Sequence, residues 1–396
     1  MKGYDFYRMP GPLEWAGPPK KFSYSSLSAI ERCPLQWQLS NSKYSEDLDS
    51  FPARPAPAAI EGQIVHSVLE KLFKALSLEG LPNLNTPEFR SCIGRVNIKN
   101  AVNLLVEKHN KKIARHPRGN GFRLRLTCQQ MSNQIVRLFK SQYSHIASSD
   151  FSPVNSTSSN YTWKKGVDST SDPIQLLDTY GALTEFYLRD KTISFEGVVD
   201  LVRKEGGQVV ITDFKTGRKD ENHVKQVSYY AVLWKRITGK TPSKVELQYP
   251  GSVVTIPMSE SFVSEVEEEL RERISSASEM TAKRPADAFC DNHCMLCDVR
   301  QFCGNYWNDK SIDEVGKGED NTTLDIDIMV DGEPGDFGFE GKTNCGQNIA
   351  VVYDSSVEKI LGPFKNGDHF RILRAVYKKV PQSIELKPWT EIFYRL

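Results

Sequence analysis

The sequence predicts a mixed α/β protein followed by a small all-β unit. Three observations carry that prediction. Two β-branched apolar segments between Phe195 and Phe214 flank a short polar turn, and a helix-like segment bearing Gln226 and Tyr230 follows them. Upstream, Ile60, Ile64, Val68 and Leu72 recur every four residues, the mark of a helix from about Ala59 to Leu76. Beyond residue 320 the chain reads as about five short strands separated by Gly-rich turns, the pattern of a small barrel.

Bulk properties exclude several classes. The 396 residues suffice for two or three domains, and 39% apolar with 26% charged residues favours neither disorder nor a membrane protein. A net charge of +1 excludes a globally basic nucleic-acid binder, so any DNA contact has to come from local patches. No apolar run approaches the roughly 20 residues of a membrane span. The opening MKGYDFYRMPGPLEW lacks the apolar core of a signal peptide, so the expected location is the cytosol, with no membrane partner. No G-x-x-x-x-G-K-[ST] motif is present, so any unwinding has to come from a partner.

Taken in order, residues 1–21 are rich in Pro and Gly and read as an irregular lead-in. Ser25 or Ser26 is expected to cap a helix holding Leu27, Ile30 and Leu35, bent or ended by Pro34. FPARPAPA at 51–58 reads as a linker into the helix that carries His66. His66 lies off the apolar stripe, and its spacing alone suits an ordinary boundary histidine as well as a ligand. Residues 81–150 read as a helical insertion with a basic run, Lys108, Lys111, Lys112, Arg115, Arg118, Arg123 and Arg125. That run is either a solvated surface or a wall that tracks phosphates. Cys92 and Cys128 in the same stretch read as buried structural thiols, and the Ser-, Thr-, Asn- and Asp-rich stretch 148–174 reads as a mobile loop. Glu185, in QLLDTYGALTEFYLRD, faces either a site or solvent and stays outside the expected ligand set.

The segments FEGVVDLV and QVVITDF pair as a hairpin through Lys204-Glu205-Gly206-Gly207. Asp200 lies on the first strand. Asp213 and Lys215 lie two apart on the second and so project together. Carboxylates embedded in apolar strands are costly unless they are paired or bind metal. Two of them converging with a lysine suit metal-assisted phosphodiester hydrolysis. Gln226 and Tyr230, four apart, share one helix face, although Tyr229 is as good a candidate for packing on the sheet. Strands at KVELQYP and VVTIPM follow, then a helix from ESFVSEVEEEL to about Lys283-Arg284-Pro285.

Together, His66 in GQIVHSVLEKLF, Gly197-Val198-Val199-Asp200, Asp213-Phe214-Lys215-Thr216-Gly217 and Gln226 with Tyr230-Ala231 resemble the RecB-like branch of the PD-(D/E)xK nuclease superfamily, over most of residues 22–309. The resemblance implies a restriction-endonuclease-like α/β core. It implies Mg2+ or Mn2+ held by His66, Asp200, Asp213 and the carbonyl of Phe214, with Lys215 as the catalytic cation. Gln226 and Tyr230 would orient substrate. An imidazole ligand favours softer cations, so activity with Mn2+ is expected.

Four of the eight cysteines crowd into CDNHCMLCDVRQFC as Cys290, Cys294, Cys297 and Cys303, a metal-ligating density in a cytosolic chain. The C-x2-C-x5-C spacing of the last three, with Cys33 upstream in SYSSLSAIERCPLQW, resembles the iron–sulfur members of the same nuclease group. These include CRISPR-associated exonucleases and AddB-type nuclease domains. That resemblance implies a 4Fe–4S cluster on Cys33, Cys294, Cys297 and Cys303, closing a clasp around the core. A structural zinc on Cys290, Cys294, Cys297 and Cys303 is the competing reading.

Residues 310–319 read as a linker, and 320–396 resemble an oligonucleotide-binding (OB) fold. Its aromatic and basic residues either stack on unpaired bases or fill the barrel core. The expected function is a metal-dependent deoxyribonuclease, exo- rather than endonucleolytic, acting on single-stranded DNA in repair, recombination or defence. A helicase or another repair or defence protein is the expected partner. The other open reading is a DNA- or RNA-binding module that does not cut, or cuts only with a partner.

Overall fold

The computed structural model describes residues 5–147, 172–309, 319–344, 346–354, 357, 361 and 363–395. The loop expected before the sheet and the linker at 310–319 fall almost wholly outside them. Helices α1 (Tyr24–Arg32) and α2 (Pro34–Asn41) share Cys33, which ends the first and caps the second with its sulfur, 3.4 Å from the Gln36 N–H. The cap of α1 is Ser23, in a reciprocal box with Ser26, rather than Ser25 or Ser26 itself. Next come α3 (Pro57–Leu78), α4 (Pro87–Val96), α5 (Ile98–Ile113), α6 (Cys128–Ala147) and α7 (Pro173–Tyr180).

A five-stranded sheet follows in the order β1 (Ala182–Asp190), β2 (Phe195–Glu205), β3 (Gln208–Phe214), β4 (Lys244–Tyr249) and β5 (Ser252–Pro257). Gly206 and Gly207 both take positive φ in the tight β2–β3 turn, a conformation that glycine adopts without steric cost. The β3–β4 pair is parallel and is bridged by α8 (Glu221–Thr238). One sheet face packs on α8, α9 (Glu260–Met280) and α1, through Val227, Leu233, Trp234 and Leu270. The other packs on α3 and the helical insertion, through Val65, Leu69, Phe73 and Phe139. Burial on both faces explains why β3 reads as a continuous apolar run in which Asp213 stands out. No helix among the described residues is long and apolar enough to cross a membrane.

After α10 (Gly304–Asp309), strands β6 (Thr323–Gly335), β7 (Gly338–Thr343), β8 (Asn348–Val352), β9 (His369–Lys379) and β10 (Gln382–Glu385) close a five-stranded barrel. The ring runs β6–β7–β8–β10–β9 and back to β6, with β8 and β10 parallel, the Greek-key closure of an OB-like barrel. The last expected strand is two: Lys387–Thr390 forms a turn, and β11 (Glu391–Tyr394) pairs outside the ring on β9.

The barrel is seated on the cysteine loop. Arg300 forms a two-pronged pair with Asp325, at 2.5 and 3.1 Å, both side chains 1% exposed. Asp325 sits where the β6–β9 register shifts, and it also accepts the Arg374 N–H at 2.9 Å. Arg118 pairs bidentately with Glu391 of β11, at 2.5 and 2.8 Å. A shared core joins Phe6, Tyr7 and Phe51 to Val299, Trp307 and Phe393, so the Pro- and Gly-rich opening carries buried anchors.

Candidate active site

The sheet gathers the expected residues where the C-terminal end of β3 meets the middle of β2. His66 on α3 places Nδ1 3.0 Å from Asp200 Oδ1, and the other Asp200 oxygen accepts the Phe214 N–H at 2.6 Å. Asp213 is 3% exposed and pairs through Oδ2 with Lys215 Nζ at 2.7 Å. Lys215 Nζ also donates to Gln226 Oε1 at 2.7 Å, and Gln226 Nε2 donates to the Tyr230 hydroxyl at 2.7 Å. One turn of α8 therefore sets Lys215 from behind. Tyr230 can lie there because Gly197 has no side chain: a Cβ on Gly197 would stand 2.6 Å from the Tyr230 ring. Phe214 contributes its N–H to Asp200 and stacks its ring on Phe73.

The charges at this site act strongly on one another. Burial raises the Asp213 carboxyl, Asp200 adds to the effect, and Lys215 and His66 only partly oppose it, leaving it at about 6. Burial works against a charge on His66, but Asp200, with Asp213 and Glu185, outweighs it and lifts the imidazole to about 9. An excess of carboxylate over cation is what a bound divalent ion relieves.

Glu185 is the residue that sequence reasoning left aside. Ligand atoms of His66, Glu185 and Asp200 lie within 4.8 Å of one another. The register passes through Thr184↔Leu201 and Phe186↔Val199, which sets Glu185 across from Asp200. Its backbone has φ +47°, outside the strand region, so period-two alternation does not foretell where its side chain goes. The only signal available was a carboxylate on the strand neighbouring Asp200. Asp213 is not in that group of three; it is held by Lys215.

A second constellation lies at the clasp. Cys33, Cys290, Cys294, Cys297 and Cys303 line one pocket, and none of the seven described cysteines forms a disulfide. Cys33, Cys297 and Cys303 are buried, Cys294 is half-buried and Cys290 is exposed. Burial raises the Cys297 thiol to about 11, with Cys33 and Cys303 adding to it, and raises Cys303 as well, with help from Cys33 and Cys294. Unpaired thiols that penalise one another's ionisation in this way suit a site for a thiolate-binding metal group.

The basic run and the barrel aromatics each divide into buried and exposed members. In the basic run Arg118 is buried in its pair with Glu391, while Lys108, Lys111, Lys112, Arg115, Arg123 and Arg125 are exposed. In the barrel Phe339, Tyr353, Phe370, Tyr377 and Phe393 are buried, so these rings are core; Phe337 and Trp389 are exposed.

A CRISPR-associated exonuclease Cas4/endonuclease Cas1 fusion from Leptospira interrogans serogroup Icterohaemorrhagiae serovar Lai (strain 56601) is 25% identical over 141 residues. That match covers 32% of this chain and a quarter of the fusion's length. Among solved structures, the Ifi202 HINa domain in complex with 20bp dsDNA aligns at 11% identity over 49% of this chain and 82% of its own, with a TM-score of 0.19. SSO0001 aligns at 16% identity over 34% and 64%, also with a TM-score of 0.19. At such scores the likeness bears on neither fold nor function. Residues 21–304 match the sequence model of the PD-(D/E)XK nuclease superfamily, and with His66, Asp200, Asp213 and Lys215 assembled within that span, the chain belongs to this superfamily.

Proposed function

We propose that the protein is a divalent-metal-dependent deoxyribonuclease, exonucleolytic and favouring single-stranded DNA. The observation that carries this reading is the convergence of His66, Glu185 and Asp200 beside the Asp213–Lys215–Gln226 chain. Mg2+ or Mn2+ would be held by His66, Asp200 and Asp213 with the Phe214 carbonyl, and Glu185 adds a further carboxylate. The metal, when bound, supplies Lewis acidity and an acidified water. Lys215 offsets the charge that develops on a phosphoryl oxygen, and Gln226, fixed by Tyr230, keeps the ammonium in place. The exonuclease preference rests on the exonuclease half of the Leptospira relative, a fusion that also carries an endonuclease half. The single-strand preference rests on the OB-like barrel, which offers Phe337 and Trp389 as exposed rings. The basic surface of the insertion would track phosphates.

Cys33, Cys294, Cys297 and Cys303 would hold a 4Fe–4S cluster whose role is structural. Burial of Cys33 in the common pocket, against the exposure of Cys290, favours this set over a zinc site built on Cys290. Reduced thiols suit the cytosol. Repair, recombination or defence alongside a helicase or similar partner fits such an enzyme.

The test is cleavage of end-labelled single- and double-stranded DNA by anaerobically purified protein in Mg2+, Mn2+ or EDTA, with Lys215→Ala beside the wild type. Expected are metal-dependent shortening from one end, faster on single strands, and a loss of at least a hundredfold in the variant. No cutting by cluster-loaded wild type would leave a nucleic-acid-binding module, and equal cutting by the variant would place the chemistry elsewhere.

A further inference from the structure

A cleft of about 780 Å3 opens beside the nuclease site, walled by α1, the start of α8 and Arg273 of α9. Lys215 and Gln226 belong to its wall, so the cleft is continuous with the site. Two of its cations already have partners: Arg273 pairs with Glu31 at 2.6 Å and Lys225 with Glu269 at 3.0 Å. Arg32, the last residue of α1, is exposed and has no ion-pair partner among the described residues.

The side chain with an open polar edge is His223. His223, Gln226 and Tyr230 are three and four residues apart and share one face of α8. His223 Nδ1 lies 2.8 Å from the hydroxyl of Tyr249, the buried last residue of β4. Tyr249 follows Gln248, whose carbonyl accepts the Lys215 N–H at 2.9 Å, so the end of β4 braces both Lys215 and His223. The Tyr249 hydroxyl has no other hydrogen-bond partner among the described residues. Its proton is satisfied by donating to Nδ1, and the ring proton then sits on Nε2. Nε2 itself has no partner among the described residues and is not sealed from solvent. Burial and the Lys215 ammonium hold the imidazole below its usual range, with Asp220 opposing, so the ring is neutral at neutral pH.

An N–H fixed in one tautomer, on the wall of a cleft that includes the catalytic lysine, suits a phosphate oxygen. We infer that His223 donates from Nε2 to a strand phosphate next to the scissile one, with Tyr249 as its positioning residue. The helical rise puts His223 about 4.5 Å beyond Gln226 along α8, hence beside the linkage at Lys215 rather than on it. Holding that neighbouring phosphate keeps the scissile linkage aligned with Lys215. Arg32 adds attraction for the charge of the strand. This contact rests on the nuclease reading and lies outside the metal-ligand set.

The test is single-turnover cleavage by anaerobically purified full-length protein in Mn2+. The end-labelled strand carries one methylphosphonate linkage, moved stepwise around the first cut. Expected is a linkage beside the cut at which the uncharged replacement slows wild type about tenfold or more, the worth of a hydrogen bond to a charged group. His223→Ala should be slowed by a similar factor on the ordinary strand, and by no more than about twofold further on replacement at that linkage. His223→Gln, whose amide nitrogen falls near the place of Nε2, should recover most of the rate and the sensitivity. Tyr249→Phe should cost about threefold in wild type and nothing in the His223→Ala background, whereas a merely structural tyrosine would cost the same in both. If Tyr249→Phe fails to fold, the His223 variants and modified strands decide alone. Wild type with no sensitive linkage beside the cut, equal sensitivity in wild type and His223→Ala, or His223→Ala cutting at the wild-type rate overturns the contact and leaves the nuclease reading in place. No cutting by cluster-loaded wild type removes both.

Discussion

Gly197 shows how closely single residues set the site. Its missing side chain is the space the Tyr230 ring occupies, and Tyr230 is the far support of the Lys215–Gln226 contact. Gly197→Ala should cost about 1–3 kcal/mol of stability through overpacking. Cleavage should fall further, by tenfold or more, because Lys215 loses its brace; denaturation and steady-state rates on one preparation separate the two effects. Titration makes a second prediction. The raised Asp213 carboxyl takes up its proton in the folded chain before the unfolded one does, so its contribution to metal-free stability falls as pH rises from roughly 4 through about 6. The raised His66 stabilises fully below its usual range, and that contribution is lost as pH climbs through about 9. A metal held through His66 would displace its proton, so Mn2+ affinity should rise from about pH 6 towards about pH 9 with proton release, read by calorimetry in two buffers of unlike ionisation heat. Affinity independent of pH would remove His66 from the ligand set. At this scale the sequence shows Asp200, Asp213 and Lys215 because carboxylates are rare in buried strands. It hides Glu185, whose left-handed backbone breaks the alternation that reading relies on.

Among the elements, Cys33 has two separable jobs. Its sulfur caps α2, and its position brings it into the pocket with Cys294, Cys297 and Cys303. Cys33→Ser keeps a capping oxygen and replaces the thiolate, so helix content by circular dichroism should hold while iron and sulfide drop well below wild type. One equivalent of zinc with no visible absorbance in the wild type would instead assign the pocket to zinc. The β2–β3 hairpin and α8 are plain in the sequence because an apolar run, two glycines and a four-residue spacing agree with one another. The break between β10 and β11 is not: SIELKPWTEIFYRL alternates well enough to pass for one strand, and the turn at Lys387–Thr390 depends on packing against β9.

Over the whole molecule, the two halves are joined by buried charge rather than by a greasy seam alone. Asp325→Asn leaves Arg300 buried without its counter-ion and should cost about 3–5 kcal/mol, measured as a shift in the denaturation midpoint. Destabilisation below about 1 kcal/mol would mean that the pair is solvated in solution. Arg118 belongs to the same seam, and this is why a count of basic residues misread it: sequence shows a charge in a run of charges, not the Glu391 that meets it 273 positions later. The shared core has an equally long reach, since Phe6 and Tyr7 pack their rings on Phe393. A ribosome delivers these partners far apart in time, because several hundred residues separate them in the chain. Until β11 emerges, Phe6, Tyr7, Phe51 and Phe302 have no lid, and the nascent nuclease half carries an open apolar surface next to its cysteine loop. The enzyme half therefore reaches its final packing only once the barrel has been made, and a chain stalled before residue 391 is a natural client for chaperones and proteases.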